Sequence, residues 1–98
     1  MYEVIYMKAM YEPWWQFEGW EKEIVSRQEF QTREEAERFL QEQKSAFSRQ
    51  YPHHLAKGTA FIAFWTEEEQ VFCEACDDDL QTYHGLIWLC NGQPVHFS

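Results

Sequence analysis

The amino-acid sequence predicts an α+β fold: a mostly antiparallel sheet of about four to five strands, with one long amphipathic helix packed on one face. Two observations carry this prediction. β-branched and aromatic runs lie towards both ends of the chain, and a single helical stripe lies between them. The 98 residues are the usual size for one hydrophobic core, so residues 1–98 are expected to form a single globular domain. Hydrophobic residues make up 45% of the chain, which excludes a disordered protein.

Three apolar runs predict strands that are buried on both faces, because their apolar residues are nearly continuous. These runs are residues 2–9 (YEVIYMKA), 60–65 (AFIAFW) and 86–90 (LIWLC). Residues 23–30 have a weaker pattern that indicates an edge strand. A short strand is expected at residues 71–73, and a last one after the hairpin signal Asn91-Gly92.

The helix is predicted over residues 33–50. Thr32 and Glu35 have the spacing of a capping box, which satisfies free backbone N–H groups at a helix start. Apolar residues then recur at steps of three and four, with charged residues on the opposite face. Pro52 ends the pattern, because the residue before a proline is driven out of helical geometry.

Residues 12–20 (EPWWQFEGW) hold three of the five tryptophans, in a pattern typical of neither a strand nor a helix. One helix covers one face of a sheet, so this stretch, a second subunit or a partner must cover the other. Packing over the sheet is the simpler interpretation, but Trp is also a common hot spot of protein interfaces. Trp14, Trp15 and Trp20 are therefore candidate partner-binding residues, and a homodimer stays open.

The charge is distributed unevenly along the chain. Residues 1–57 contain all eight Lys and Arg against ten acidic residues, a net charge of about −2, whereas residues 58–98 carry seven acidic residues and no basic one. Nucleic-acid binding depends on cationic side chains, so direct binding is disfavoured and a basic protein partner fits better. The acidic candidates for this contact are Glu74, Asp77, Asp78 and Asp79.

Cys73 and Cys76 have the CxxC spacing of half a zinc site or of a redox pair. His84 and Cys90 would complete a ligand set of three sulfurs and one nitrogen, which zinc accepts. Against this, the sequence has no second CxxC, and Cys90 ends an apolar run, where a cysteine is usually a small buried hydrophobe. A small zinc-binding protein is therefore the alternative interpretation, and the preferred one needs no cofactor.

The histidines do not come with the other parts of a catalytic site. His53 and His54 fall within residues 51–58, which predict a loop, and His84 lies between Gly85 and a predicted short helical turn that runs through Tyr83, with Gly85 as its left-handed C-terminal residue. We expect all three at the surface or in turns. No nucleophile elbow or phosphate loop accompanies them, so a non-enzymatic protein is predicted.

Three further features predict a cytoplasmic location. The first residues lack the basic-then-apolar pattern of a secretion signal. The three cysteines are an odd number, which favours reduced thiols. No apolar run approaches the roughly 18 to 20 residues of a membrane helix, so no membrane insertion is expected.

Four sequence blocks, MYEVI, EPWWQFEGW, AFIAFW and CEACDDDLQTYHGLIWL, extend over nearly the whole chain. Together they resemble a small family of Gram-positive bacterial proteins, a domain of unknown function that includes the competence regulator ComN. The resemblance implies a cytoplasmic, non-enzymatic protein in post-transcriptional control of late competence genes, acting through protein contacts at the division site. It implies no catalytic residues. The predicted function is a regulatory, protein-binding module.

Overall fold

The computed structural model describes residues 1–73 and 78–95, without the side chains of residues 72, 73, 78 and 79. In this part of the chain one α-helix crosses a six-stranded antiparallel sheet, and two further strands form a separate hairpin. The strands are β1 (Tyr2–Ala9), β2 (Ile24–Phe30), β3 (His53–Lys57), β4 (Phe61–Trp65), β5 (Gln70–Cys73), β6 (Asp78–Gln81), β7 (Tyr83–Cys90) and β8 (Gln93–Pro94). The helix, α1, is Arg33–Gln50.

The main sheet has the strand order β2-β1-β7-β4-β3, with β8 paired to the end of β7. At its centre β1 and β7 pair from Tyr2 opposite Cys90 to Ala9 opposite Tyr83. β2 and β3 are the two edges, and α1 joins them. The predicted α+β class and antiparallel sheet are confirmed, but four to five strands is too low a count. β3 is the strand of the main sheet that the sequence did not predict, because its largely polar residues lack the apolar pattern of a buried strand; β6, which has a similarly polar sequence, was also not predicted and belongs to the separate hairpin.

The start of α1 differs in one detail from a standard capping box. The Glu35 backbone N–H donates to Thr32 Oγ1 at 3.2 Å, as expected. The Thr32 hydroxyl in turn donates to Glu35 Oε1 at 2.9 Å. The two side chains are therefore hydrogen-bonded to each other at the first turn of the helix. The helix ends at Gln50, immediately before the Tyr51-Pro52 pair.

One face of the sheet is packed against α1. Ala36 and Leu40 of the helix share a buried cluster with Val4, Phe64 and Trp88. Phe47 extends this contact, with its ring centroid 5.1 Å from that of Tyr6 and 5.4 Å from that of Phe64. The helix contacts β1, β2 and β7 more than β3 or β4, so it lies towards the β2 side of the sheet.

The opposite face is covered by the segment between β1 and β2, as the aromatic stretch predicts. Tyr11 and Trp20 pack on a second buried cluster formed by Ile5, Met7, Ala9, Ile87 and Leu89. Pro13 is fully buried and lies against Gly85 of β7. A Cβ atom at position 85 would lie 2.7 Å from Pro13 Cβ, so this close approach requires glycine.

Two predicted local structures are wrong. Residues 51–58 do not form a continuous loop, because His53–Lys57 is the edge strand β3, paired along its whole length with β4. The predicted helical turn before Gly85 is replaced by strand β6 and the start of β7. In both places backbone pairing with a neighbouring strand stabilises an extended chain that its own side chains do not indicate.

We expect Gly85→Ala to lower the free energy of unfolding by about 1–3 kcal/mol, because the added methyl group overlaps the Pro13 ring. Urea unfolding followed by Trp fluorescence measures this loss. Pro13→Ala alone should also destabilise the protein by opening a cavity. The double variant should lose less than the sum of the two changes, since removing the ring makes room for the new methyl group. Strictly additive losses would contradict the contact.

Candidate functional site

Two neighbouring aromatic rings of the segment between β1 and β2 face solvent. The rings of Trp15 and Phe17 stack with centroids 6.0 Å apart and planes inclined by 6°. Each residue is 53% exposed. Lys57 Nζ lies 5.5 Å from the Trp15 ring centroid and 5.8 Å from that of Trp14. We call Trp14, Trp15, Phe17 and Lys57 the aromatic surface.

Backbone geometry and hydrogen bonds hold these rings in place. Gln16 has a φ of 43°, a left-handed conformation that turns the chain between Trp15 and Phe17. Trp15 Nε1 donates a hydrogen bond to Glu12 Oε2 at 2.8 Å. The rings of Tyr11 and Phe17 make an edge-to-face contact, with their centroids 5.0 Å apart. Pro13, directly before Trp14, is buried, so the segment that carries the exposed rings is fixed to the core at this residue.

The Glu12 carboxylate also reaches the sheet. It lies beside Tyr83 of β7. The pKa of the Tyr83 hydroxyl is raised, mainly by burial and secondly by this carboxylate. Glu12 therefore joins Trp15 on the outside to Tyr83 on the sheet. The aromatic surface therefore contains a cation, Lys57, and is bordered by a carboxylate, Glu12.

The predicted tryptophans have different environments. Trp15 is exposed, and Trp14 is half-buried and lines a cavity of about 250 Å³ with Lys57 and Phe61. Trp20 is half-buried against the second core cluster, which gives it a structural role. Phe17 was not among the sequence candidates, although it lies in the same aromatic stretch.

The predicted acidic contact lies largely outside the described residues. Glu74 and Asp77 belong to residues 74–77, and only the backbone of Asp78 and Asp79 is described, in strand β6. That strand pairs with β5 to form a hairpin that follows β4 in the chain. The role of these four side chains stays a prediction.

A buried histidine joins three elements of the fold. His84 of β7 is 3% exposed, so the expectation of a surface or turn residue is wrong. Its Nδ1 lies 2.6 Å from the Tyr6 hydroxyl, and its Nε2 lies 2.7 Å from Glu69 Oε1. The Tyr51 ring stacks on the imidazole with centroids 4.2 Å apart. The sequence gives no signal for this cluster, since its members come from distant parts of the chain.

The chemistry of these groups defines the direction of the hydrogen bonds. A carboxylate only accepts, so the His84 Nε2–H donates to Glu69; in the neutral tautomer that carries this proton, Nδ1 is free to accept the Tyr6 hydroxyl proton. Burial, followed by the charges of Tyr51 and Glu69, raises the pKa of Tyr6 to about 12. Tyr6 is thus a neutral donor near pH 7. The network is suited to holding residues 67–69 against the sheet.

A second histidine contact involves the same 67–69 segment. His53 Nε2 of β3 contacts Glu67 Oε1, and the His53 ring stacks on Trp65 with centroids 5.6 Å apart. The pKa of Glu67 is lowered by a backbone N–H and then by the hydrogen bond to His53. Residues 67–69 are therefore attached to both β3 and β7.

The predicted zinc ligands do not converge as one set. His84 and Cys90 lie at the two ends of β7, about 20 Å apart at the usual rise of a strand, whereas zinc ligands lie about 2 Å from the metal. Both ring nitrogens of His84 are already hydrogen-bonded. The Cys73 side chain and Cys76 lie outside the described residues. In the described part of the chain, no three metal-binding side chains form a cluster.

The fold and the site define a small α+β protein with an anchored, exposed aromatic surface. The chain belongs to a family of proteins of unknown function, DUF1033, whose model matches residues 1–98. The predicted membership of a family of unknown function is confirmed. No curated protein and no solved structure shows significant similarity to the chain. No helix in the described residues has the length and apolar character of a membrane span.

Tyr6 should make the stability of the protein depend on pH in the alkaline range. Its pKa is raised in the folded protein, so its contribution is complete below about pH 10 and is lost as the pH rises through about 12. Urea unfolding at about pH 8 and about pH 11 should show a larger loss of stability for the wild type than for Tyr6→Phe.

Tyr2→Phe is the matched control, because it removes another β1 hydroxyl, one with no hydrogen bond in the described structure. It should retain the alkaline loss of the wild type. An identical alkaline loss in Tyr6→Phe and the wild type would contradict the assignment. At about pH 8, Tyr6→Phe should itself be less stable by about 1–3 kcal/mol, since His84 Nδ1 loses its donor.

Proposed function

We propose that this chain is a non-enzymatic, protein-binding module whose contact surface is the aromatic surface. The observation that supports the proposal best is the stacked pair Trp15 and Phe17, each more than half exposed on a segment anchored by buried Pro13. Large aromatic rings exposed together are typical of contact sites, and Trp is enriched among the residues that dominate binding energy.

The fixed geometry of the rings supports the same proposal. Trp15 is held by its hydrogen bond to Glu12 and by stacking on Phe17, so little side-chain freedom remains to be lost on binding. Ordering a side chain at an interface costs about 0.5–1.5 kcal/mol, a cost that a pre-ordered ring largely avoids. Lys57 and Glu12 supply polar contacts at the rim of the rings.

The cellular role that we propose follows the sequence resemblance. It is a cytoplasmic regulator of ComN type, acting after transcription on late competence genes through a protein partner at the division site. The acidic residues Glu74, Asp77, Asp78 and Asp79 would offer a second contact, suited to basic groups on that partner. A homodimer is compatible with this role.

Trp15→Ala and Phe17→Ala should each weaken partner binding by about 30-fold or more, the effect of losing a hot spot of roughly 2 kcal/mol. Unfolding free energies should change by less than about 1 kcal/mol, because both rings are exposed. The measurement is capture from native cell extract on immobilised protein, with partners identified by mass spectrometry and then titrated individually.

Val25→Ala is the matched control, since Val25 is an equally exposed hydrophobic residue on β2. It should capture the same partners as the wild type. Equal loss in all three variants would indicate nonspecific adhesion, and unchanged capture by both aromatic variants would refute the proposal. Unfolding of Trp15→Ala would instead assign that ring to the core.

Direct RNA binding is the competing function, because exposed aromatic rings beside a lysine can also stack bases. The net charge of −9 opposes it. We expect no shift of single-stranded RNA in a gel at low salt, where phosphate contacts are strongest. A salt-sensitive shift abolished by Lys57→Glu would favour RNA over a protein partner.

A further inference from the structure

The edge strand β3 exposes both its backbone and its side chains. It pairs with β4 along one side and has no strand neighbour on the other in the described part of the chain. From His54 to Lys57 every side chain is exposed, with Leu55 at 53%. A row of unpaired N–H and C=O groups of this kind can pair with another extended chain.

On one face of the sheet, β3 borders a groove beside α1. The register of β3 on β4 puts His54 opposite Phe64, on the helix-covered face. A cavity of about 300 Å³ lies there. Ile62 and Phe64 form its apolar floor. Its polar rim is formed by Lys44, Ser45, Ser48 and His54.

On the other face, β3 contributes Lys57 to the aromatic surface. Lys57 lies opposite Phe61 in the register and therefore on the face covered by the aromatic stretch. The cavity of about 250 Å³ beside it is lined by Trp14, Phe61 and the turn at residues 58–60. A strand added to β3 would point its side chains alternately towards the two cavities, because successive side chains alternate across a sheet.

The two cavities share one electrostatic property. Each has an apolar wall and one lysine, Lys44 in the groove and Lys57 beside Trp14. No carboxylate lines either cavity among the described residues, although the chain as a whole carries a net charge of −9. An occupant with acidic and apolar side chains on both of its faces complements this pair of sites.

The other edge strand is protected against such pairing. β2 carries Arg27 and Glu29, and Arg27 forms an ion pair with Glu3 of β1 at 3.2 Å. The register between β1 and β2 shifts at Tyr6 and Met7. Charged side chains of both signs and an irregular register are devices that discourage strand addition. β3 has neither a carboxylate nor a register shift.

We propose that β3 accepts an extended segment of a protein partner as an added strand, with acidic and apolar side chains of that segment reaching Lys44 on one face and Lys57 on the other. This proposal rests on the proposed protein-binding function. It adds that the partner binds by strand addition, through a segment with acidic and apolar side chains. Main-chain hydrogen bonds hold the segment, and the two cavities select its side chains.

The test uses the full chain and synthetic peptides in an NMR titration. The probe is Glu-Glu-Val-Val-Glu-Glu, capped at both ends, in which each strand face reads acidic, apolar, acidic. We expect shifts confined to amides of β3, its flanking turns and the two cavity walls. Lys-Lys-Val-Val-Lys-Lys should bind at least about 10-fold more weakly. The same acidic peptide with both valines N-methylated should not bind, since whichever of these two adjacent amides faces β3 can no longer donate a hydrogen bond.

Lys44→Glu and Lys57→Glu should each weaken binding of the acidic peptide by about 5- to 10-fold. Lys22→Glu is the control and should not weaken it, because Lys22 is exposed and lies outside both cavities. Lys44→Glu is the more informative variant because Lys44 does not contact the tryptophans. Unweakened binding of the N-methylated peptide, or shifts that avoid β3, would overturn strand addition. So would a peptide-free dimer with β3 amides already protected from exchange, because the occupant would then be a second copy.

The two proposals fail in distinguishable ways. A chain that captures its native partner through Trp15 but binds none of the peptides retains the protein-binding function and loses strand addition. A chain that binds the acidic peptide at β3 but captures the same partners after Trp15→Ala and Phe17→Ala retains strand addition, with β3 in place of the exposed rings as the contact.

Discussion

The burial of β1 and β7 on both faces is the constraint on which the rest of the structure depends. Ile5, Met7 and Ile87 face one side of the sheet, Val4, Leu86 and Trp88 face the other, and all six are buried. A single helix covers only one of these sides. The other must be covered by irregular chain, whose backbone polar groups need partners of their own. The segment between β1 and β2 meets this requirement with a proline, which has no N–H to satisfy, against a glycine that allows close approach.

This solution has a consequence for the exposed face of the same segment. Pro13 is buried, so the residues directly after it start from a fixed point, and the left-handed turn at Gln16 brings Trp15 and Phe17 together on the outside. One short segment therefore covers the core with its inner side and exposes aromatic rings to solvent on its outer side. A change that loosens Pro13 affects both, whereas a change to Trp15 affects the outer side alone. This separation is what makes the proposed contact testable by substitution.

The sequence predicted the parts of the fold that carry a periodic pattern. The helix bounds follow from the capping box and Pro52, and the β1 strand and the need for a cover over the second face follow from apolar spacing. β3 and β6 were missed because an edge or hairpin strand is stabilised by backbone pairing, which leaves little trace in side-chain pattern. The Tyr6–His84–Glu69 network was missed for a different reason. Its members are separated by up to 78 positions and meet only through sheet register, so nothing in local spacing indicates them. Phe17 lies in the same aromatic stretch as the three tryptophans, and a non-periodic stretch does not indicate which of its rings are exposed.

A strongly acidic chain and an acidic partner segment are compatible if the interaction is local. At physiological ionic strength the Debye length is about 8 Å, so exposed charges further away than this are largely screened. The walls of the two cavities beside β3 contribute Lys44 and Lys57 and no carboxylate among the described residues, and the 67–69 segment meets β3 at its other end, through the contact of Glu67 with His53. Two acidic residues of that segment, Glu67 and Glu69, are already engaged by His53 and His84. The net charge of −9 therefore governs long-range encounter and disfavours nucleic acid. Selection at β3 depends instead on two lysines, the apolar cavity walls and an unpaired strand edge.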